Sequence, residues 1–528
     1  MERAILGLGR EGMQLASLIE GLGVTLARGE ASSVRVCDVT EDSRTAVPGS
    51  LFVARRGRSF DGRKFVGPAI ECGASAVLTD DPEIELPRHP KVALLVTDDV
   101  AGVSARIAER FYGEPSKKLI LVGVTGTNGK TTVAHLTQQM LNAADVRCGL
   151  IGTVDVDDGR EVAPASMTTP PAIELSRTLA TMVEQGLTAA AMEVSSHALD
   201  QGRAAALAFD VAVFTNLTGD HLDYHQTMEA YAASKAKLFA MLPPDGVSVL
   251  NADDPAHASM RGANPTLCTM EGAPGAAWSA SVVKATPAGL TLHVRGPGVD
   301  VEAVTPLLGA HNAMNALEAI AAGAAALRKA GKGDDTIADA ARAMLERARP
   351  PRGRLERVTT EADDITVFVD FAHTDDALEK VLSALREVLP AGAGLWVVVG
   401  CGGNKDQTKR PRMGRVAAAL ADQAVFTSDN PRTEPPGQII TQMMGGVPEP
   451  ARRRIVVQAD RSRAIHHAIE HAKAGAVIVL AGKGHETEQE LPSAEGGVVR
   501  IAFDDREVAR RALAMRRARS RATAGGAA

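Results

Sequence analysis

Short apolar runs separated by stretches of helical periodicity recur through most of this chain. Between residues 116 and 350 the runs Leu119–Val124, Leu150–Val154, Thr188–Val194, Asp210–Asn216 and Val247–Asn251 predict strands, with helical patterns among them. Such alternation predicts a parallel sheet covered by helices. Pro350, Pro351 and Gly353 interrupt the series, and a second one follows with candidate strands Val367–Phe371, Trp396–Gly400, Ala424–Thr427, Ile455–Val457 and Ala476–Ala481. Between the first two of these, Leu378, Val381, Leu382, Leu385 and Leu389 fall on one helical face. A five-stranded, doubly wound domain is expected there. The expected organisation is thus α/β in three domains: a small α/β domain over 31–115, a central parallel sheet over 116–350, and a Rossmann-like domain over 351–515. Residues 1–30 read as a flexible extension, and the basic, small-residue tail 516–528 as disordered. No internal repeat is present.

A length of 528 residues excludes a single core. The net charge of −6, with both signs interspersed, gives no footprint for nucleic acid or a membrane surface. Small molecules are the expected partners. Five cysteines, none in a CxxC pair, support neither a disulfide framework nor a cysteine zinc site. No apolar run approaches membrane-spanning length, and the start MERAILGLGREG lacks a signal peptide's apolar segment. A cytoplasmic monomer is expected.

The first chemistry-bearing segment ends the run Leu119–Val124 and reads VGVTGTNGKTT ahead of the helical pattern AHLTQQML. Glycines let backbone N–H groups approach phosphate oxygens, Lys130 can reach the β/γ-phosphates, and the Thr131 hydroxyl can ligate Mg²⁺. Gly126, Thr127, Asn128, Gly129, Lys130, Thr131 and Thr132 therefore form a candidate P-loop for a nucleoside triphosphate. Val124 stands where the usual pattern has glycine, which argues against an ordinary GTPase or kinase. Gly7, Gly9 and Gly12 fit GxGxxG, but the strand before them would be only Ala4–Leu6, too short for a dinucleotide fold.

Other candidates cluster at predicted strand ends, where open α/β sheets place ligands. Glu193 ends one strand, and Asp220, His221 and His225 follow the next, expected to adjoin it, so that Glu193 and His221 could share a metal. His221 and His225 are four apart, as in a zinc pair, yet Leu222 replaces the glutamate of a zinc-protease motif. Tyr231, Lys235, Leu238 and Leu242 share a helical face, which leaves two readings of Lys235. Either its stem is buried and its ammonium reaches solvent, or burial lowers its pKa and the neutral amine adds CO₂ to become an anionic carbamate ligand. In the last domain Asp370 and His373 suit a ribose or phosphate. Asp429, Asn430 and Arg432, and then Gly482, Lys483, His485 and Glu486, follow two further strands. Together these loops suit a zwitterion such as an amino acid.

The ordered series DSRTAVPGSLFVA, TGTNGKTT, TTP, MEVSSHALDQGR, TNLTGDHLDYH, YAASKAKLF, NADD, GAHNAMN, GRLERV, VDFAHT, GCGG, KRPRMG, SDNPR and GKGHE resembles the Mur ligase family from about Asp42 to Glu490. These are the ATP-dependent amide-bond ligases of peptidoglycan synthesis, and the likeness is to the branch adding the third stem residue. The resemblance implies that the N-terminal domain binds the UDP part through Ser43 and Arg44, and that Thr168, Thr169, Ser195, Gln201 and Arg203 hold the muramoyl-dipeptide. It implies Mg²⁺ at Thr131, Glu193, His221 and a carbamylated Lys235, catalysis by Lys130, Glu193, His221 and Lys235, and contacts to ATP from Asn315, Arg354 and Asp370. Lys405, Asp429, Asn430, Pro431, Arg432, Gly482 and Glu486 would take the incoming amino acid. DNPR resembles the loop of members that add meso-diaminopimelate, whose distal carboxylate Arg432 could fork. Relatives adding L-lysine, folylpolyglutamate synthase and a nucleotide-gated binding protein without turnover are the alternatives. Four residues depart from the family: Asn404 and Lys405 where Asp and Arg are usual, Asp375 in place of proline, and Met167 in place of asparagine.

Overall fold

The computed structural model describes residues 12–57, 61–86, 92–389 and 391–525. The chain forms two compact units, one comprising Met1–Leu217, His225–Leu267 and Ala321–Ile337, the other Thr218–Tyr224, Cys268–Ile320 and Ala338–Ala528.

The first unit opens with a five-stranded sheet in the order Thr25–Arg28, Ala93–Val96, Ala76–Thr79, Ser50–Ala54, Asp38–Thr40. The last four strands run parallel and the first is antiparallel to its neighbour. Strands buried on both faces read as unbroken apolar runs rather than alternating ones, as in SLFVA and AVLT here. Over residues 12–30 the expected flexible extension is corrected by this sheet, and residues 1–11 lie outside the described residues. Leu15 and Leu18 are fully buried in its core and Thr25–Arg28 forms its edge, because this stretch carries enough apolar side chains to join a core. Gly7 and Gly9 lie outside the described residues.

The same unit carries the larger sheet, ordered Val162–Pro164, Asp155–Asp157, Cys148–Ile151, Ala189–Glu193, Ile120–Thr125, Val211–Phe214, Val247–Asn251. From Cys148–Ile151 to Val247–Asn251 the pairings are parallel. Ile120–Thr125 therefore lies between Ala189–Glu193 and Val211–Phe214, so the two strand ends expected to adjoin flank the phosphate-loop strand instead. Crossovers that place sequence-distant strands side by side make adjacency unreadable from chain order.

The second unit contains three antiparallel strands, Trp278–Thr286, Gly289–Gly296 and Val299–Thr305. Its main sheet runs Glu356–Arg357, Thr366–Asp370, Val477–Ala481, Leu395–Val399, Gln423–Phe426, Ile455–Val457. The five expected strands are parallel, and a short antiparallel one extends the edge. All five parallel strands end on one side, so the loops after residues 370, 399, 426 and 481 share that edge. Helix Asp375–Val388 buries Leu378, Val381, Leu382 and Leu385, as its periodicity predicts. The tail departs from expectation: a helix runs Asp505–Gly525. Ala509, Ala512 and Leu513 pack into a core, while Arg516 pairs with Asp364 and Arg517 with Asp363, so acidic partners hold basic residues that composition assigns to solvent. No described helix is long and apolar enough to cross a membrane.

Candidate active site

Gly126 meets the backbone requirement of the phosphate loop with φ 150°, and a Cβ there would lie 1.9 Å from Thr215 Oγ1. Only glycine fits so close an approach. Asn128 is fixed by the neighbouring strand end: its N–H donates to Asn216 Oδ1 at 2.9 Å, and its carbonyl accepts from Thr215 Oγ1 at 2.5 Å and Asn216 Nδ2 at 3.1 Å. Lys130 begins the helix Lys130–Ala143, and its Nζ donates to the carbonyls of Gly126 and Thr127 at 3.0 and 2.9 Å. Thr131 and Thr132 are buried at the head of that helix.

Glu193 is fully buried. Its carboxylate accepts from Thr131 Oγ1 at 2.9 Å, Thr153 N at 2.6 Å and Thr153 Oγ1 at 3.1 Å. A hydroxyl and a carboxylate side by side at a phosphate loop are hard oxygen donors of the kind Mg²⁺ prefers, so these residues fit that ion. Lys235 does not reach solvent. It is 1 % exposed, its Nζ donates to Gly126 O at 2.7 Å, and it lies 4.2 Å from the Tyr231 ring centroid. Its helix, Met228–Ala240, turns that face inward, with Ser234 Oγ donating to Ser196 O at 2.8 Å. Lys237 points away and pairs with Asp200. His225 Nε2 sits 3.0 Å from Ser196 Oγ. His221 belongs to the second unit, where its ring lies 3.5 Å from Asp220 Oδ2. No three His, Cys, Asp or Glu side chains form a metal cluster among the described residues.

The predicted dipeptide-binding residues gather beside Glu193. Thr168 Oγ1 accepts from Thr153 Oγ1 at 3.0 Å, and Thr169 Oγ1 donates to Glu193 O at 2.9 Å and lies 3.3 Å from Ser195 Oγ. Arg203 forks Gln201 Oε1 at 2.7 and 3.1 Å and donates to Thr169 O at 2.7 Å. Met167, at the position departing from the family, offers its sulfur to Arg203 at 3.4 Å. In the N-terminal sheet domain Ser43 is buried and Arg44 extends outward, forking Asp42 and holding that carboxyl below the ordinary range. Sequence reading missed Glu109, a buried carboxylate that accepts from Ser116 and Ser176 hydroxyls at 2.7 and 2.8 Å and so ties helix Val100–Phe111 to helix Ala172–Glu184. Burial pushes its pKa up.

In the second unit Asp370 accepts from the N–H groups of Leu355 and Ala372 at 2.7 and 2.8 Å, and burial raises its pKa. Arg354 lies over the Phe371 ring at 4.7 Å, and His485 packs 5.2 Å from that ring. Burial, then the cations Arg354, Arg352, Arg506 and Lys483, push His485 down to about 4. Asn315 is buried on helix Ala310–Lys329 and donates to Asn312 Oδ1 at 3.0 Å.

The loops after residues 426 and 481 do converge. Fully buried Lys483 donates to Glu486 Oε2 at 2.8 Å and Asn430 Oδ1 at 3.0 Å, and Asn430 Nδ2 donates to Glu486 Oε2 at 2.8 Å. Asp429 Oδ1 accepts from Asn430 N, while its buried Oδ2 has no hydrogen-bond partner among the described residues. Gly482 passes so close that a Cβ would lie 2.5 Å from that oxygen. Pro431 puts its carbonyl beside Gly403, and Arg432 Nη1 donates to Gly403 O at 2.8 Å. Lys405 on the same loop is exposed. Two pairs supporting the pocket were missed. Fully buried Arg410 forks Glu434, whose Oε1 also accepts from Asn404 N, and holds that carboxyl near 2. Arg461 and Asp505 form a buried ion pair at 2.6 Å, with Arg461 also donating to Ser428 O and Ala481 O, just before Asp429 and Gly482. A lone arginine in a helical pattern carries no sign of such a partner. At the third departing position, Asp375 pairs with Arg412 at 2.9 Å.

Three family models match in order: "Mur ligase family, catalytic domain" over residues 36–112, "Mur ligase middle domain" over 124–323, and "Mur ligase, glutamate ligase domain" over 353–484. The UDP-N-acetylmuramoyl-L-alanyl-D-glutamate–2,6-diaminopimelate ligase of Chlorobaculum tepidum is 42 % identical over 514 residues, covering 94 % of this chain and 97 % of the relative. A solved structure of a ligase with that name matches with TM-score 0.65 and 30 % identity over 96 % of this chain and 99 % of its own. Mycobacterium tuberculosis folylpolyglutamate synthase, complexed with ADP and AMPPCP, shares the fold with TM-score 0.54 and 20 % identity over 71 % of this chain and 91 % of its own. With its phosphate loop, buried metal-type carboxylate and converging C-terminal loops, this chain belongs to the Mur ligase family.

Proposed function

We propose that this protein is the ATP-dependent ligase that joins meso-diaminopimelate to the γ-carboxyl of D-Glu in UDP-MurNAc-L-Ala-D-Glu, releasing ADP and phosphate, in peptidoglycan synthesis. The observation carrying this is the pocket that sets a buried, unpartnered Asp429 oxygen and the Arg432 guanidinium in one loop. An ammonium suits the first and a carboxylate the second, which is the pairing at the distal end of diaminopimelate. L-Lysine offers no carboxylate there, and a site built to bind a polar group rejects ligands lacking it by about 10⁴-fold.

A carboxylate is a poor electrophile, so ATP first converts the γ-carboxyl to an acyl phosphate. Lys130 neutralises charge on the transferred phosphoryl group from the helix head. Thr131 and Glu193 would hold Mg²⁺, which would add to the neutralisation of the phosphates. The attacking amine of diaminopimelate then displaces phosphate. Thr168, Thr169, Ser195, Gln201 and Arg203 orient the dipeptide, while Ser43 and Arg44 take the UDP group. Asn315, Arg354 and Asp370 would serve the nucleotide, and Lys235 as its carbamate would join Thr131 and Glu193 as a metal ligand. Lys405 faces the amino acid's carboxylate as a single-pronged cation. The same reading carries three domains divided near residues 115 and 350, a cytoplasmic location and a monomeric state.

The test offers meso-diaminopimelate or L-lysine in parallel to the protein with UDP-MurNAc-L-Ala-D-Glu, ATP and Mg²⁺, and measures phosphate release and product mass. Release with diaminopimelate alone is the expected result. Equal or preferential use of lysine overturns the assignment of Arg432, and release with neither overturns the substrate.

A further inference from the structure

Arg432 occupies a left-handed backbone conformation, φ 54°, and its side chain is not left to swing. Its Nε pairs with Glu490 Oε2 at 2.8 Å, its Nη1 donates to Gly403 O at 2.8 Å, and its own N–H donates to Glu490 O at 3.0 Å. Glu490 lies four residues beyond the GKGHE loop, on the strand Glu488–Pro492 of a two-stranded hairpin. Its N–H donates to Asn430 Oδ1 at 3.0 Å. Its other carboxylate oxygen accepts from Nε of Arg500, directly across the hairpin, at 3.2 Å. Glu490 is thus fastened to the Asn430–Arg432 loop through its N–H, its carbonyl and its side chain, with Arg500 offsetting its charge.

The placement on the guanidinium decides what this does. Glu490 takes Nε and Gly403 takes Nη1, and among the described residues Nη2 donates no hydrogen bond. We propose that Glu490 is a specificity-determining positioning residue. It holds the Arg432 guanidinium so that Nη2 meets the distal carboxylate of a diamino dicarboxylic acid, while Arg500 keeps Glu490 itself from repelling that carboxylate. A long cation frozen before the ligand arrives loses less rotamer freedom on binding, so Glu490 acts on affinity for the amino acid and not on phosphoryl transfer. This inference rests on the diaminopimelate reading.

The test compares wild type, Glu490→Ala and Glu490→Gln in steady-state assays with each substrate varied. Loss of one ion pair predicts a KM for meso-diaminopimelate raised about tenfold in Glu490→Ala, with kcat within about twofold. The KM values for ATP and the UDP-linked dipeptide stay unchanged. Glu490→Gln keeps an acceptor for Nε and restores the KM to within about threefold of wild type. Wild-type turnover of diaminopimelate with an unaltered KM in Glu490→Ala overturns the inference alone, as does an equal rise in all three KM values. Absence of wild-type turnover with diaminopimelate overturns the substrate reading and the inference with it.

Discussion

The phosphate loop and the C-terminal pocket both hold polar groups at the edge of an apolar sheet, by different means. In the loop, contiguous residues make their own scaffold: Lys130 is held by Gly126 and Thr127 carbonyls, and one neighbouring strand end fixes Asn128. In the pocket each group depends on a residue far along the chain. Asn430 meets Lys483 and Glu486, Arg432 meets Gly403 and Glu490, and Arg410 holds Glu434. On the proposed function the loop would bind a feature common to all nucleoside triphosphates, which a short backbone cradle suffices to recognise. The pocket must tell one amino acid from another, and that takes side chains brought from several strand ends.

The strongest break of this contrast is Lys130→Ala, which should lower kcat/KM for phosphate release by about 10³-fold while leaving binding of meso-diaminopimelate intact, measured by calorimetry. Next comes the pocket's hidden support. Asp505→Ala leaves Arg461 charged and buried, so the second unit should lose about 3–5 kcal/mol in urea titrations, with no equivalent loss from Lys130→Ala. Glu193→Gln should cost about 10²-fold in activity and raise the Mg²⁺ requirement, read from initial rates across a magnesium series. Arg432→Lys keeps the charge but not the fork and should raise the KM for meso-diaminopimelate about tenfold, with kcat little changed. The remaining effect is on pH dependence. His485 stays neutral in the fold down to about 4, against 6.5 as its ordinary value, so the unfolded chain binds the proton first. Stability of the second unit should fall as pH drops from 6.5 toward 4, and His485→Asn should flatten that slope in denaturant midpoints.

Much of the first unit's sheet was legible because its strands are buried on both faces and stand as unbroken apolar runs, as at Ala189–Glu193. The helix Asp375–Val388 declared its buried face by period alone. Residues 12–28 and the helix to Gly525 were not legible. Leu15 and Leu18 stand among glycines and charged residues, and the tail's arginines look solvated until Asp363, Asp364 and Glu470 are found beside them. Lys235 shows the limit most sharply. Helical spacing put it on an apolar face and left two outcomes open, and only the packing of its helix against Gly126 and Ser196 brought it inside.

By itself the sequence determined the chemistry that local spacing can encode: a phosphate loop before a helix, carboxyl and amide groups at strand ends, and the alternation that makes a parallel sheet. Only the tertiary structure decided which strand ends are neighbours, that Ile120–Thr125 separates Glu193 from the strand before His221, and that Glu490 and Arg461 serve the pocket. The physical reason is range. Backbone geometry and periodicity act within a few residues of the chain, whereas charge pairing and burial act through space between residues whose sequence separation carries no sign of their contact.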